Sequence, residues 1–136
     1  MKKRFSKLIL LTGQSNALGQ FSGDKIIKHD FDERIYVYNI IKNAWVQFKH
    51  DTEIGNQPTH NECFAFYFAK RYLQDRPHHN VGIIVFGQAA TSISNWIVPN
   101  LHLSSSVVNN NYDTGVIFHY INYHTHNALE LIKNKY

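Results

Sequence analysis

Short apolar runs along the chain predict the strands of a β-sheet. Residues 5–12 form an apolar run stopped by Gly13, which predicts a strand buried on both faces. Residues 34–39 predict a second strand, and residues 44–48 can pair with it across a short turn. Residues 81–86 are apolar at almost every position, so we expect this segment to lie inside a sheet.

Segments with helical spacing alternate with these strands. Thr59 and Glu62 form a capping box that predicts a helix reaching to about Asp75. Aromatic residues four positions apart share one face of this helix: Phe64, Phe68 and Tyr72. A last helix is capped by Asp113 or Thr114. Its apolar stripe consists of Ile117, Ile121, Ala128 and Ile132.

The order strand, hairpin, helix, strand, helix is typical of an α/β domain with a parallel sheet. A chain of 136 residues is long enough for one such domain and too short for two, so residues 1–136 are predicted to form a single domain. In parallel sheets, ligands bind at the carboxyl ends of the strands. Residues 13–16 and 88–96 follow predicted strands, and we expect them to form the functional site there.

The charge distribution and the cysteine content exclude several classes of function. The net charge is +4, but Lys2, Lys3, Arg4 and Lys7 carry it, which leaves the rest of the chain with ten basic and ten acidic residues. Nucleic-acid binding requires basic residues spread along a surface, so it is not expected. Cys63 is the only cysteine, which excludes an internal disulfide and a cysteine zinc site.

The apolar run near the N-terminus is too short to direct the chain to a membrane. Its uninterrupted part, residues 8–11, is shorter than a signal peptide or a membrane span requires. We therefore predict neither, and expect the protein in the cytoplasm or inside a larger assembly. Aromatic residues make up 14% of the chain, which favours large side chains both in the core and along a surface site.

The turn after the first predicted strand holds a candidate nucleophile. Ser15 lies between Gly13 and Gly19, so its hydroxyl can stand at the edge of the sheet and its backbone N–H can face a ligand oxygen. Ala17 stands where the nucleophile elbow of α/β-hydrolases needs glycine, and no Gly-Lys-Ser/Thr follows for a phosphate-binding loop. Taken alone, the segment is equally well explained as a polar turn with a hydrogen-bonded serine.

Three motifs in this order resemble the SGNH hydrolases, and within them the sialate O-acetylesterase-like branch (SASA, carbohydrate esterase family 6). The first is a strand running into Gly-Gln-Ser-Asn at residues 8–16, and the second is Pro58 followed by the helical residues 62–69. The third is the strand at residues 81–86 followed by Ala-Ala-Thr-Ser-Ile-Ser-Asn-Trp at residues 89–96. The resemblance implies a three-layer α/β sandwich with a short parallel sheet of the SGNH-hydrolase (flavodoxin-like) type.

The resemblance also implies roles for individual residues. Ser15 would be the nucleophile, and the backbone N–H groups of Ser15 and Ala90 would be the oxyanion-hole donors. The residues that would shape the site are Gln14, Asn16, Thr91, Ser92 and Trp96. Ala89 and Ala90 replace a glycine pair of the family, and each added methyl group takes up space beside the acyl group.

The catalytic base of the family lies in a later part of the fold. The family continues with a strand into a Trp-x-Gln-Gly-Glu block and a C-terminal Asp-x-x-His, and neither follows the last predicted helix. We therefore expect a fold shortened at its C-terminus, with the base supplied by another chain or by His60, His119, His124 or His126 of this one. His60 is expected nearest to the site; exposed or helix-capping histidines are the alternative. A metal site at His124 and His126 is not expected, because residues two apart on a helix point in different directions.

Carbohydrate O-acetylesterase activity is the function that the resemblance implies. The substrate would be an acetylated carbohydrate or another small ester, with acyl transfer through Ser15 and no cofactor. The alternative is a non-catalytic glycan-binding or structural module with the same fold. We also expect a homo-oligomer or a complex with another chain, because a shortened fold would leave the outer edge of residues 81–86 and the underside of the last helix bare.

Overall fold

The computed structural model describes residues 4–13, 17, 32–49, 64–87 and 116–135. The elements in chain order are β1 (Lys7–Gly13), β2 (Ile35–Asn39), β3 (Ala44–Gln47), α1 (Phe64–Leu73), β4 (Val81–Gly87) and α2 (Val116–Lys135). The four strands and α2 lie within about two residues of the segments that their patterns predict, which is the usual uncertainty of element ends. The described part of α1 begins at Phe64, inside the helix predicted from the capping box to about Asp75. The capping box at residues 59–62 lies outside the described residues.

The strands form a four-stranded sheet in the order β1-β4-β2-β3. β4 runs parallel to both β1 and β2, and β3 returns antiparallel to β2 as the predicted hairpin. The tip of the hairpin is held by the Tyr38 hydroxyl, which donates to Asn43 Oδ1 at 2.6 Å, and Asn43 adopts a positive φ of 46°. The predicted α/β class with a mostly parallel sheet is therefore confirmed.

β4, and not β1, is the strand buried in the middle of this sheet. All seven residues of β4 are buried, and the strand pairs with β1 along its length and with β2 through Val81–Ile83. The expectation that β4 has a bare outer edge is therefore wrong.

β1 lies at an edge of the described sheet and one of its two faces is exposed. The expectation that this strand is buried on both faces is therefore also wrong. Ile9 and Leu11 are half-buried on one face, whereas Leu8 and Leu10 on the other face are 39% and 51% exposed. The apolar run alone could not show this, because it records only the side chains of this strand. It does not record which elements pack beside the strand or over each of its faces.

α1 covers one face of the sheet. Its buried residues are Ala65, Phe66, Ala69 and Leu73, and they pack against Ile35, Val37, Val81, Ile83 and Val85. The two alanines allow the helix backbone to approach the sheet closely. Phe64 and Phe68, which share a face as expected, point away from the sheet and are exposed.

α2 covers the opposite face, which gives the three layers. The cluster beneath it consists of Tyr36, Tyr38, Trp45, Ile84, Phe86 and Ala128, with Ile121 and Ile132 packed at its border. Trp45 Nε1 donates to the carbonyl oxygen of Ala128 at 3.0 Å, so one buried hydrogen bond joins β3 to α2. The stripe predicted from Ile117 to Ile132 is thus the face that packs on the sheet. Neither described helix combines the length and the apolar character needed to cross a membrane.

Candidate active site

The two motif segments leave the sheet from neighbouring parallel strands. Thr12 pairs with Phe86 and Gly13 pairs with Gly87, so the carboxyl ends of β1 and β4 lie side by side. The chain then continues from β1 toward Ser15 and from β4 toward Ala90. All the proposed site residues lie outside the described residues: Gln14, Ser15, Asn16, His60, Ala90, Thr91, Ser92 and Trp96. Their roles therefore stay predictions, and the described part of the site is the framework from which both segments start.

The end of β1 requires a glycine because the chain comes back against it. A Cβ built on Gly13 would lie 2.9 Å from Cβ of Ala17, closer than real Cβ contacts come. Gly13 and Ala17, four positions apart in the sequence, are therefore in close contact. Ser15 lies between these two residues in sequence, in a segment whose two ends are held together.

A group of aromatic rings packs on the sheet directly below the carboxyl end of β4. The ring of Phe86 lies 6.0 Å from that of Tyr120 and 6.1 Å from that of His124, measured between centroids. His124 also contacts Tyr120 at 4.4 Å and Tyr123 at 5.1 Å, both edge to face. We refer to Phe86, Tyr120, Tyr123 and His124 as the aromatic cluster.

Burial inside the aromatic cluster favours the neutral form of His124. Desolvation lowers the pKa of His124 below the ordinary histidine value, because the charged ring would lose its hydration. Its Nδ1 is buried without a hydrogen-bond partner, as is Oγ1 of the neighbouring Thr125. Burial also raises the pKa of Tyr120, so this hydroxyl stays protonated near neutral pH.

The direction of α2 places these rings at the same end of the sheet as the motif segments. Tyr120 and His124 contact Phe86 near the carboxyl end of β4, whereas Ala128 lies over Trp45, whose ring reaches Gly82 near the amino end. α2 therefore runs antiparallel to β4, with its first half toward the carboxyl edge.

The structure separates the described candidate bases. His119 and His126 are exposed, whereas His124 is half-buried next to the carboxyl end of β4. The aromatic cluster was not predicted from the sequence; its signal was the interleaving of tyrosines with the apolar stripe of the last helix. Within the described ranges no three histidine, cysteine, aspartate or glutamate side chains come close enough to hold a metal ion.

An Asp-x-x-His spacing does occur in the chain, at Asp75 and His78, upstream of the last helix and unrecognised in the sequence interpretation. Both residues are exposed in the turn between α1 and β4, at the amino end of β4. The seven residues of β4 separate this turn from the carboxyl edge by about 20 Å. This pair is therefore at the wrong end of the sheet to act on a group bound near Ser15.

Comparison with protein families finds one that covers most of the chain. The family described as "carbohydrate esterase, sialic acid-specific acetylesterase" matches residues 5–116. The match includes both motif segments and every described strand, and it ends where α2 begins. No curated protein matches the chain.

Proposed function

The chain belongs to the carbohydrate esterase family of sialic acid-specific acetylesterases, and from this membership we propose that it hydrolyses acetyl esters of carbohydrates through Ser15. One observation supports the proposal above all. The two segments that would supply the nucleophile and the second oxyanion donor follow strands that pair side by side, and both lie within the matched region. Ligands of parallel sheets bind at such an edge.

The proposed reaction is acyl transfer in two steps. Ser15 Oγ attacks the acetyl carbonyl carbon while a base takes the hydroxyl proton, and the backbone N–H groups of Ser15 and Ala90 donate to the developing oxyanion. The sugar alcohol leaves with that proton, and the acetyl group stays on Ser15. Water then attacks the acyl-enzyme, which releases acetate and restores the serine. Gln14, Asn16, Thr91, Ser92 and Trp96 shape this site in the proposal.

His60 is a candidate base that the sequence places near the site, a base from another chain is the alternative, and His124 is the described histidine best placed to act instead. A histidine that acts as a base must be neutral in the resting enzyme, and burial favours that state at His124. Replacing each by glutamine, with exposed His126→Gln as the matched control, identifies the base. The base variant loses several orders of magnitude in kcat, and the control keeps the activity of the parent chain.

Acetate release from acetylated carbohydrate and from p-nitrophenyl acetate tests the proposed activity. The variant Ser15→Ala is expected to lose at least about a thousandfold in kcat/KM on both substrates. Ser6→Ala, an exposed serine at the other end of β1, is the control and is expected to keep full activity. Turnover that survives in Ser15→Ala would contradict the assignment of the nucleophile.

A non-catalytic glycan-binding module is the second candidate, and one sequence observation favours it. Ala89 and Ala90 stand in place of the glycine pair, at the segment that would supply the second oxyanion donor. Binding of an acetylated glycan without release of acetate, by the parent chain and by Ala90→Gly alike, would support this function. Acetate release that increases in Ala90→Gly would support a weakened esterase instead.

We also propose that the protein acts as a homo-oligomer or in a complex with another chain. The exposed Leu8 and Leu10 of β1 support this proposal, because apolar residues on an edge strand favour pairing with another strand. The sequence placed the interface at residues 81–86 or at the last helix, and we propose it at β1 instead.

A further inference from the structure

The exposed aromatic residues of the described chain are confined to two places. They are Phe64, Tyr67 and Phe68 on α1, and Phe118, Tyr120 and Tyr123 on α2. α2 runs antiparallel to β4, and the end of α1 is fixed at the amino end of β2, where Arg34 Nη1 donates to the Leu73 carbonyl oxygen. Both helices therefore begin at the carboxyl edge of the sheet, and their exposed rings lie toward the candidate active site.

The rings on α2 are built into the fold and still accessible. Tyr120 is 36% exposed and packs edge to face on Phe86, while Tyr123 is 64% exposed. His124 lies between them and contacts both rings, so the two tyrosines pack against a half-buried residue. We refer to the exposed rings of Tyr120 and Tyr123 as the platform.

The chemistry of this platform fits a neutral sugar. The helix contains no aspartate, glutamate, lysine or arginine between Val116 and Ala128. A phosphate backbone or a charged lipid surface would need such residues. Tyrosine rings offer an apolar face for the C–H groups of a sugar ring, and their hydroxyls offer hydrogen bonds to its hydroxyl groups.

The exposed rings on α1 differ in this respect. The side chains of Phe64 and Phe68 carry no polar atom, and their ring centroids lie 6.4 Å apart. Lys70 and Arg71 lie two and three positions after Phe68. That combination of apolar rings and cationic side chains suits a protein surface better than a sugar. The two patches are thus chemically distinct although both face the same edge.

We propose that Tyr120 and Tyr123 form a sugar-binding platform beside the active site, which binds the units next to the one that carries the acetyl ester. The preferred substrate is then an acetylated oligosaccharide and not an acetylated monosaccharide. This inference rests on the proposed esterase function and adds to it the size of the substrate. β4 provides the connection, because Phe86 supports the platform and Ala90 follows the end of this strand by three positions in the sequence.

Two substrate pairs test the platform: O-acetylated sialic acid with O-acetylated sialyllactose, and acetylated xylose with acetylated xylotetraose. The parent chain is expected to show a lower KM for the longer member of at least one pair. Tyr123→Ala raises that KM about tenfold and leaves the KM for the monosaccharide and for p-nitrophenyl acetate unchanged. Tyr123 is the residue chosen for the test because its side chain is the more exposed of the two. The variant Tyr120→Phe keeps the aromatic ring, so it is expected to retain most of the preference for the longer substrate.

Phe68→Ala and Leu129→Ala are the matched controls. Phe68 is an exposed ring on α1, and Leu129 is an exposed residue in the second half of α2. Both variants are expected to keep the KM of the parent chain for every substrate. Equal KM values within both pairs, or a loss caused by Phe68→Ala and not by Tyr123→Ala, would overturn the platform.

A binding measurement on the Ser15→Ala chain separates this inference from the proposed function. Sialyllactose and xylotetraose without ester-linked acetyl groups cannot be deacetylated. Calorimetry with these two glycans therefore measures sugar binding without the esterase reaction. Binding that is lost in Ser15→Ala/Tyr123→Ala supports the platform even if the parent chain hydrolyses no ester. Hydrolysis through Ser15 with no binding of either glycan refutes the platform and leaves the esterase. A change in sedimentation of Tyr123→Ala with unchanged glycan binding would assign the surface to a protein partner and also refute it.

Discussion

Individual side chains decide how closely the layers of this protein approach. At Gly82, in the buried central strand, a Cβ would lie 2.8 Å from Leu8 Cδ2 and 3.0 Å from both Phe5 Cδ2 and Trp45 Cζ3. The glycine leaves the space in which the rings of Phe5 and Trp45 pack at 4.7 Å. One missing methyl group thus allows β1 and β3 to place large side chains over the same strand.

The variant Gly82→Ala is expected to destabilise the fold by about 1–3 kcal/mol, because the added methyl group overfills a packed site. Urea unfolding monitored by tryptophan fluorescence measures the change. In a Leu8→Ala background, which removes the closest contact, the same substitution should cost less. An equal cost in both backgrounds would contradict the packing explanation.

The neutral state of His124 makes the stability depend on pH. Its pKa is lowered in the folded protein by burial, and the unfolded chain keeps the ordinary value near 6.5. The contribution of His124 to the free energy of unfolding is therefore fully present above pH 6.5. It is lost as the pH falls from 6.5 toward the pKa of the folded protein, because in this range the unfolded chain binds a proton and the folded chain does not. The free energy of unfolding is expected to fall by at most about 1.4 kcal/mol per pH unit in this window.

Urea unfolding between pH 7 and pH 5 measures this slope, and His124→Phe is expected to flatten it. His126→Gln, at an exposed position on the same helix, should leave it unchanged. A slope that is the same in the parent chain and in His124→Phe would contradict the assignment to His124.

At the scale of elements, one arginine joins the start of β2 to the end of α1. Arg34 forms a bidentate pair with Asp32, at 2.7 Å from Nη2 to Oδ2 and 3.0 Å from Nε to Oδ1. Its Nη1 reaches the carbonyl oxygens of Leu73, Arg76 and Pro77 at 3.4–3.5 Å. The hydrogen bond from Arg34 holds the pKa of Asp32 below its usual value. The guanidinium thus satisfies carbonyl groups at and beyond the last turn of α1.

The variant Arg34→Ala is expected to cost about 1–2 kcal/mol of stability, since the helix end loses its donor and Asp32 its partner. Arg71→Ala is the control, because Arg71 pairs with Asp75 at 3.8 Å with both side chains more than 70% exposed. Such a pair contributes less than about 0.5 kcal/mol. Thermal unfolding of both variants measures the difference, and equal losses would refute the bridging role of Arg34.

At the scale of the whole molecule, β1 and β3 are the two edges of the described sheet, and β1 is the edge with exposed leucines. β1 carries one charged residue, Lys7, and no proline. It therefore lacks most of the features that prevent an edge strand from pairing with a strand of another chain. α2 covers the same face of the sheet as Leu8 and Leu10 but leaves both leucines exposed. This is the surface through which we propose that the chain associates.

The variant Leu10→Lys is expected to weaken association, because a charge on an edge strand opposes pairing with a second strand. Sedimentation velocity at micromolar concentration measures the effect. Ile41→Lys, at a 69% exposed position on the hairpin, is the control and should sediment as the parent chain does. A parent chain that sediments as a monomer at all concentrations would contradict association of the chain with itself.

The sequence by itself determined which segments become strands and helices, and it predicted a functional site where β1 and β4 end. β4 was predicted from its apolar run, and α2 from a stripe running from Ile117 to Ile132, because both patterns depend on residues close together in the chain. The Gly-Gln-Ser-Asn segment and the family resemblance identified Ser15 and Ala90 as site residues. Their positions lie outside the described residues, so these roles stay predictions.

Only the tertiary structure decided which strand lies at the edge and which rings are exposed. β1 and β4 are both apolar runs, and a run does not report how many strands pair with it; β4 became central because β2 pairs with its other side. In the same way, the spacing of Phe64 and Phe68 showed that they share a helix face but not that this face is exposed. Burial, strand order and the meeting of Phe86 with His124 depend on contacts between distant parts of the chain, which local periodicity does not record.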